Sequence, residues 1–243
     1  MEWKVTKFNG GYNGGKEAAG TYQKIINEIR EHDIMICGFL GHCAIARNIE
    51  HKSRIIGIDI DPSVIAAWGD MSWPWIELIC GDFVSLVPSL LSTIGAGKKI
   101  VIYCDPPYLM ESIKSDIPPY KYTMPASWHR SFLSMIAEIG DISGVDILIS
   151  HYPCDMYESS LKGWRVLKYK STTRRGTATE LLFMNYSHDD GKLQDYQFVG
   201  DNKDERYNLK HRAATNLISK LNRMDPRKKQ ALLHYLRADL ASL

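Results

Sequence analysis

The sequence predicts an α/β fold in which helices alternate with the strands of a mostly parallel sheet. Short apolar runs recur along the chain at intervals that leave room for a helix between them. The runs lie at residues 34–37, 54–58, 76–80, 100–104 and 145–150. Strands that alternate with helices form a doubly wound sheet, and such a sheet binds its ligands at the carboxyl ends of the strands. We therefore expect functional residues directly after these runs.

Further elements complete this prediction. Two more apolar runs, 165–169 and 180–186, are joined by a short polar segment and predict a hairpin that ends the sheet with an antiparallel strand. Helices are predicted at 44–51, 62–68, 127–139, about 203–222 and 226–240. We interpret residues 1–190 as the main domain and residues 191–243 as a linker with a basic helical extension.

Composition restricts the class of protein. The chain has 243 residues, of which 44% are hydrophobic and 24% charged, as in ordinary globular proteins. It opens without a signal-like segment and contains no apolar run near the roughly 18 residues that a membrane span needs. The five cysteines are never spaced C-x-x-C, and the histidines lack the spacing of metal ligands. We expect a cytoplasmic protein with reduced thiols, no membrane partner and no metal.

Positive charge is concentrated in the last part of the chain. Residues 201–243 carry ten Lys and Arg against five Asp and Glu, a net +5, which leaves −3 for the remainder of a chain of net +2. A basic segment suits phosphate contacts, but it can equally be a solvated surface.

The most specific motif is Asp105-Pro106-Pro107-Tyr108, which directly follows the apolar run 100–104. At average residue frequencies it would occur by chance in about one chain of this length in a thousand. Two prolines fix the backbone as it leaves the strand, so a carboxylate and an aromatic ring are presented in a nearly rigid geometry. The alternative is a tight turn with a surface tyrosine.

This motif suits a planar base that carries an amino group. The amino nitrogen of adenine is a poor nucleophile, because its lone pair is delocalised into the ring. Hydrogen bonds from its two N–H groups to the Asp105 carboxylate and the Pro106 carbonyl would localise that lone pair. Tyr108 would stack on the base, which must leave a duplex to enter such a pocket.

Other short motifs precede this one along the chain. They are Tyr12-Asn13-Gly14-Gly15-Lys16, Gly38-Phe39-Leu40-Gly41-His42-Cys43-Ala44 after the first predicted strand, Asp59 at the end of the second, and Asp82-Phe83 after the third. Taken singly, the first could be a flexible glycine-rich loop, and Asp59 could share a helix cap with Asp61. Their common order is stronger evidence than any one of them.

Together these motifs resemble the adenine-specific (N6) DNA methyltransferases of the adenine-methylase type, the D12 class with a DPPY motif, which has phage and prophage members. The resemblance extends over about residues 8–186. It implies a Rossmann-like S-adenosylmethionine methyltransferase sheet, mostly parallel with a terminal antiparallel hairpin strand, followed here by a C-terminal helical extension. It also implies S-adenosylmethionine as cofactor, double-stranded DNA as partner, and Asp105, Pro106 and Tyr108 as the catalytic residues.

The resemblance also assigns cofactor contacts. Tyr12 and Lys16 would hold the methionine part, and Phe39 and Gly41 belong to the cofactor loop. Asp59 would hold the ribose diol, Asp82 the adenine amino group, and Phe83 would flank the adenine ring. The chain departs from the family at Cys37, Gly38 and Cys43 in the cofactor loop, and it has Ser150-His151 where the family has Ser-Asn.

Sequence recognition is expected to be short or relaxed. Related enzymes insert a large recognition region between the Asp-Phe motif and the catalytic motif, whereas only residues 84–99 lie after Asp82-Phe83 and before the next strand here. The residues that we expect to contact nucleic acid are Lys114, Lys121, Tyr122, Arg174, Arg175, Arg206 and Lys210. Two alternatives stay open: an adenine in RNA, or an amide, as the acceptor, and a non-catalytic DNA-binding derivative of the family.

Overall fold

The chain folds into two units, residues 1–195 and 196–243. The structure, a computed structural model, describes residues 16, 20–49, 53–71, 73–113, 121–173, 176–187, 193–194 and 214–240.

Seven strands form one sheet in the first unit. They are β1 (Ile34–Gly38), β2 (Arg54–Asp59), β3 (Ile76–Cys80), β4 (Ile100–Cys104), β5 (Val145–His151), β6 (Arg165–Thr173) and β7 (Gly176–Met184), and their order in the sheet is β3-β2-β1-β4-β5-β7-β6. Strands β1 to β5 are parallel, whereas β7 pairs antiparallel with both β5 and β6. The predicted fold class, a mostly parallel sheet that ends in an antiparallel hairpin, is confirmed.

Helices connect the strands and form the described part of the second unit. The first unit contains α1 (Thr21–Ile26), α2 (Ala44–Asn48), α3 (Pro62–Gly69), α4 (Phe83–Ile94), α5 (Ala126–Gly140) and α6 (Asp155–Ser160). The second contains α7 (Ala214–Asn222) and α8 (Pro226–Leu240), which confirms two predicted helices, although the predicted start of the first lies outside the described residues. None of the described helices is long and apolar enough to cross a membrane.

Burial of the central strands explains their apolar composition. Every residue of β1 and of β4 is buried, because helices cover both faces of the sheet at its centre. The core on one face joins Ile36 of β1 and Ile102 of β4 to Phe132 and Ile136 of α5, all fully buried. This packing fixes the strand ends, and therefore the residues that follow them.

The elements differ from the predictions mainly at their ends. Helix α2 ends at Asn48, three residues earlier than predicted, and β7 begins four residues earlier, at Gly176. The apolar pattern does not predict α4, since Pro88 in its interior is a helix-breaking signal. Asp82 caps that helix nevertheless, accepting a hydrogen bond from the Ser85 backbone N–H at 2.9 Å.

Candidate active site

The candidate site lies where the order of strands reverses. Strand β1 has β2 on one side and β4 on the other, and Gly38 at the end of β1 is in register with Cys104 at the end of β4. In doubly wound sheets the position where the strand order reverses, at the carboxyl ends of the strands, is the usual ligand position. Asp105 is the first residue after β4 and stands in this position.

Lys16, the described residue of the amino-terminal motif, lies against the carboxylate of Asp105. Its Nζ lies 3.0 Å from Asp105 Oδ1, 3.0 Å from Glu180 Oε2 and 2.6 Å from the Tyr108 hydroxyl oxygen. The Lys16 side chain is buried, and these partners occupy all three of its N–H donors. In this structure Lys16 therefore pairs with carboxylates of its own chain, and its contact with the methionine part of a cofactor stays a prediction.

Glu180 is a second carboxylate of the site that the sequence motifs did not single out. Its Oε2 accepts the Tyr108 and Tyr169 hydroxyl groups, each at 2.8 Å. Strand β7 runs antiparallel to β5, so the first half of β7 lies at the edge where the parallel strands end. This direction places Glu180 beside Asp105, and its neighbour Tyr169 is its register partner on β6.

The three charged groups shift each other's proton affinity. Burial alone would lower the pKa of Lys16, but the carboxylates of Asp105 and Glu180 hold it well above its usual value. Burial alone would raise the pKa of Glu180, yet Lys16 and the tyrosine hydroxyls hold it below its usual range. The pKa of Asp105 is raised, by burial first and by the Glu180 charge as well, against the opposing effect of Lys16. Asp105 is thus the more basic of the two carboxylates.

One oxygen of Asp105 is left open. Lys16 donates to Oδ1, and the Tyr108 hydroxyl oxygen lies 3.0 Å from the same atom, its single proton shared with Glu180 Oε2. Among the residues that the structure describes, no donor contacts Oδ2, and the side chain is 20% exposed. Within the same part of the chain no N–H donates to the carbonyl of the adjacent Pro106. Two neighbouring acceptors are therefore available for a group with two N–H bonds.

Tyr108 is held in place by its ring and by its hydroxyl. The ring is 5% exposed and lies with its centroid 4.5 Å from that of Tyr152 and 5.0 Å from that of His151. Its hydroxyl joins the Lys16, Asp105 and Glu180 cluster. In this arrangement Tyr108 orients Asp105, and its stacking on a base stays a prediction.

The loop after β1 is rigid. Phe39 has a φ of 56°, and Gly41 has a φ of 42°, so both lie in the left-handed region that favours glycine. The Gly41 N–H donates to Asp59 Oδ2 at 2.8 Å, and its carbonyl accepts the Trp68 indole N–H at 2.7 Å. The hydrogen bonds of the Gly41 N–H and carbonyl fix the conformation of the loop, and they hold Phe39 at its unfavourable φ.

Asp59 anchors this loop. Its Oδ1 accepts the Asp61 backbone N–H at 2.8 Å, in addition to the bond of Oδ2 from Gly41. Burial raises the pKa of Asp59. Asp61 alone caps α3, through the Ser63 N–H at 2.9 Å. Each Asp59 oxygen accepts one of these bonds and retains a lone pair for another donor.

Aromatic rings cluster next to the carboxyl ends of β1 and β3. The centroid of Phe39 lies 5.0 Å from that of Phe83 and 5.5 Å from that of Trp128, whose indole N–H donates to Asp82 Oδ1 at 3.3 Å. A side chain at Gly38 would meet this cluster, since an added Cβ would lie 2.3 Å from the Phe83 ring. Glycine at position 38 thus has a packing reason.

Lys121 and Tyr122 are exposed at the same edge of the sheet. Lys121 is 65% exposed and its Nζ lies 3.0 Å from Asp61 Oδ2 and 4.9 Å from the centre of the Tyr122 ring. The other predicted site residues lie outside the described residues: Tyr12, Lys114, Arg174, Arg175, Arg206 and Lys210. Over the described ranges, no group of three His, Cys, Asp or Glu side chains is placed to hold a metal ion.

The strand order makes this chain an α/β protein of the doubly wound class, and its carboxylates and aromatic rings at successive strand ends lie where such sheets bind ligands. No protein-family model matches the chain, and no curated protein sequence matches it.

Solved structures show similarity to the chain at low identity. A SAM-dependent methyltransferase from Agrobacterium tumefaciens is 13% identical, covering 68% of this chain and 59% of that one, with a TM-score of 0.42. An rRNA methylase from Streptococcus thermophilus is 14% identical over 71% of this chain and 94% of that one, with a TM-score of 0.44. The N-methyltransferase NodS from Bradyrhizobium japonicum is 8% identical over 71% of this chain and 96% of that one, with a TM-score of 0.47. These identities are too low for the role of any residue to pass to this chain.

Proposed function

We propose that this chain is an S-adenosylmethionine-dependent methyltransferase that methylates the exocyclic N6 amino group of adenine in DNA. The proposal rests on the contacts of the two carboxylate oxygens of Asp105, which lies where the order of strands in the sheet reverses. Its Oδ1 contacts Lys16 and Tyr108, while no donor among the described residues contacts its Oδ2 or the carbonyl of the adjacent Pro106.

The two open acceptors explain how the amino nitrogen becomes reactive. Its two N–H groups donate to Asp105 Oδ2 and to the Pro106 carbonyl, which draws the lone pair out of the aromatic ring. S-adenosylmethionine would supply an electrophilic methyl group, whose bond to sulfur breaks as the bond to nitrogen forms. The nitrogen then releases one proton, and the raised pKa of Asp105 makes this carboxylate a suitable acceptor.

The residues at the ends of β1, β2 and β3 fit the proposed cofactor. Asp59 retains acceptor capacity for the two hydroxyls of a ribose. Phe39 and Phe83 offer aromatic contacts to a nucleoside ring, and the carboxylate of Asp82 accepts bonds from Ser85 and Trp128 within the described residues, which leaves it acceptor capacity. Aromatic faces and a site with more carboxylates than cations also favour a positively charged sulfonium. This fit supports S-adenosylmethionine as the cofactor.

Nucleic acid is the proposed partner because a basic and an aromatic side chain are exposed at the carboxyl edge of the sheet, where the acceptor base must bind. Lys121 is exposed there and can exchange Asp61 for a phosphate, and Tyr122 is exposed next to it. We expect Lys114, Arg174, Arg175, Arg206 and Lys210 to add phosphate contacts. Base flipping brings the adenine to Asp105, and the short segment 84–99 between Asp82-Phe83 and β4 leaves recognition short or relaxed.

Transfer of a labelled methyl group tests the proposal. The purified protein is incubated with methyl-labelled S-adenosylmethionine and either unmethylated double-stranded DNA or structured RNA, and the polymers are digested and resolved by mass spectrometry. We expect label in N6-methyladenine from DNA, in a short sequence context. Label in RNA alone would move the acceptor to RNA. Label in neither polymer, together with no cofactor binding by calorimetry, would favour a non-catalytic DNA-binding role.

A further inference from the structure

Glu180 is a buried carboxylate for which the proposed transfer has no direct use. Only 4% of it is exposed, and its Oε2 gathers three donors, from Lys16, Tyr108 and Tyr169. A buried carboxylate is unfavourable unless it is paired, and a strand position facing tyrosines would accept an apolar residue more readily. Its placement next to the reacting carboxylate therefore calls for a reason.

The contacts of Glu180 bear directly on Asp105. Lys16 and Tyr108 are the two groups that contact Asp105 Oδ1, and both also contact Glu180 Oε2, at 3.0 and 2.8 Å; the two carboxylates share the single hydroxyl proton of Tyr108. Any movement of Glu180 would move the two groups that orient Asp105. Tyr169, the register partner of Glu180 on β6, donates a further hydrogen bond to the same carboxylate.

Glu180 also sets the charge of the site. If Asp105 were its only charged partner, the Lys16 ammonium would form a neutral ion pair with that carboxylate. Because the ammonium is shared with Glu180, the cluster of one cation and two carboxylates carries a formal charge of −1. Such a charge stabilises the positive charge that develops on an amino nitrogen as it gains a methyl group.

We propose that Glu180 is a positioning residue for the methyl transfer: by sharing Lys16 with Asp105 and fixing the Tyr108 hydroxyl, it keeps the Asp105 carboxylate oriented and able to accept a proton. This inference rests on the proposed function for its role in transfer. The raised pKa of Asp105 and the lowered pKa of Glu180 agree with the geometry. The titratable groups that act on this pair of carboxylates are Lys16, Cys43, Tyr103, Cys104, Tyr108, His151, Tyr152 and Tyr169.

The first test needs no substrate. In Glu180→Gln the shape is retained and the charge is lost, so the carboxyl ¹³C resonance of Asp105, assigned with Asp105→Asn, should titrate at lower pH than in the wild type. The control is Glu28→Gln, which removes a carboxylate from another half-buried ion pair, that with Arg165. An Asp105 midpoint that is the same in wild type, Glu180→Gln and Glu28→Gln would overturn the proposal.

The second test measures transfer. In single turnovers on adenine-containing DNA, Glu180→Gln should lose at least about tenfold in rate, with the acidic limb of its pH profile moved to lower pH, while Glu28→Gln keeps the wild-type profile. A wild-type protein that methylates no adenine refutes the proposed function, but the Asp105 titration then still decides whether Glu180 acts on Asp105.

A shorter side chain covers the case in which Glu180→Gln does not fold. Glu180→Asp keeps the charge but cannot reach Lys16 and Tyr108 together. The buried Lys16 ammonium should then exchange its protons with water faster, as followed by ¹⁵N NMR, and the transfer rate should fall. Exchange as slow as in the wild type would overturn the proposal.

Discussion

His151 holds the segment that follows the Asp105 motif, since its Nε2 accepts the backbone N–H of Leu109 at 3.1 Å. Its Nδ1 lies 2.7 Å from the Tyr152 carbonyl oxygen, so the proton of the neutral ring is on Nδ1 and is donated there. The ring stacks on Tyr157 with centroids 3.8 Å apart and is fully buried. A neutral imidazole therefore ties the end of β5 to the chain just after Tyr108.

Acidification should destabilise the protein through its buried histidines. Burial lowers the pKa of His151 to about 3 and that of His129 to about 4. The unfolded chain binds these protons near pH 6.5, whereas the folded chain does not until the pH reaches the lowered values. Stability from this source is therefore fully present above about pH 6.5 and is lost as the pH falls toward 4. We expect the free energy of unfolding, from urea titrations followed by tryptophan fluorescence, to drop by a few kcal/mol between pH 7 and pH 4.5.

Asparagine substitution assigns this pH dependence. His151→Asn removes one titrating ring, so the fall in unfolding free energy with acid should be smaller than in the wild type. His234→Asn, at an exposed position of α8, is the control and should keep the wild-type slope. Equal slopes in all three proteins would refute the role of His151.

The sequence predicts the positions of the strand ends because apolar runs and the motifs after them are local signals. Asp59, Asp82 and Asp105 accordingly lie at the carboxyl edge of the sheet. The contact between Lys16 and Tyr108 joins residues 92 positions apart and depends on how the chain crosses the sheet, which no local pattern contains.

Glu180 could have been found from hairpin register. Thr173 pairs with Gly176, and counting outward from this pair places Tyr169 opposite Glu180. A charged residue opposite a tyrosine, next to the apolar second half of the strand, is the available signal. The residues from Leu181 onward are apolar and predict only a core strand. Nothing local shows that β7 is antiparallel to β5, so the sequence alone does not place Glu180 near Asp105.

Gly38→Ala should destabilise the protein and weaken cofactor binding. The new Cβ would lie 2.3 Å from the Phe83 ring, which in turn packs on Phe39. Overpacking of this kind costs about 1–3 kcal/mol in unfolding free energy. Thermal and urea unfolding measure the loss, and calorimetry with S-adenosylmethionine measures the affinity.

Gly69→Ala is the matched control for this substitution. A Cβ at Gly69, the last residue of α3, would meet nothing within 4 Å, and alanine favours helix. We expect no loss of stability there. Equal effects of the two substitutions would show that contact with Phe83 is not the cause.

Asp59→Asn should loosen the loop after β1. Both carboxylate oxygens accept backbone N–H groups, those of Gly41 and Asp61, and an asparagine has only one acceptor oxygen. One N–H would face an amide N–H, at a cost of about 1–3 kcal/mol, and S-adenosylmethionine affinity should fall.

Asp61→Asn provides the comparison for Asp59→Asn. Asparagine caps helices as well as aspartate does, so the bond from the Ser63 N–H to this side chain is kept and α3 should be stable. The lost pair with Lys121, which is 65% exposed, contributes little. Unchanged stability and affinity in Asp59→Asn would refute its role as the loop anchor.

Asp105→Ala should abolish methyl transfer while the fold and the cofactor affinity remain. It removes one of the two acceptors at the amino nitrogen together with the proton acceptor, and loss of a single such group costs about 10²–10³-fold in rate. The proposed cofactor contacts at the ends of β1, β2 and β3 do not involve this side chain, so calorimetry should give an affinity close to that of the wild type. The control is Asp146→Ala, which removes a carboxylate of similar exposure, 16% against 20%, from its ion pair with Arg30. Asp146 lies at the start of β5, at the opposite edge of the sheet, so this variant should lose stability but keep its rate when folded. Transfer by Asp105→Ala at a rate near that of Asp146→Ala would rule out Asp105 as the group that activates the amino nitrogen.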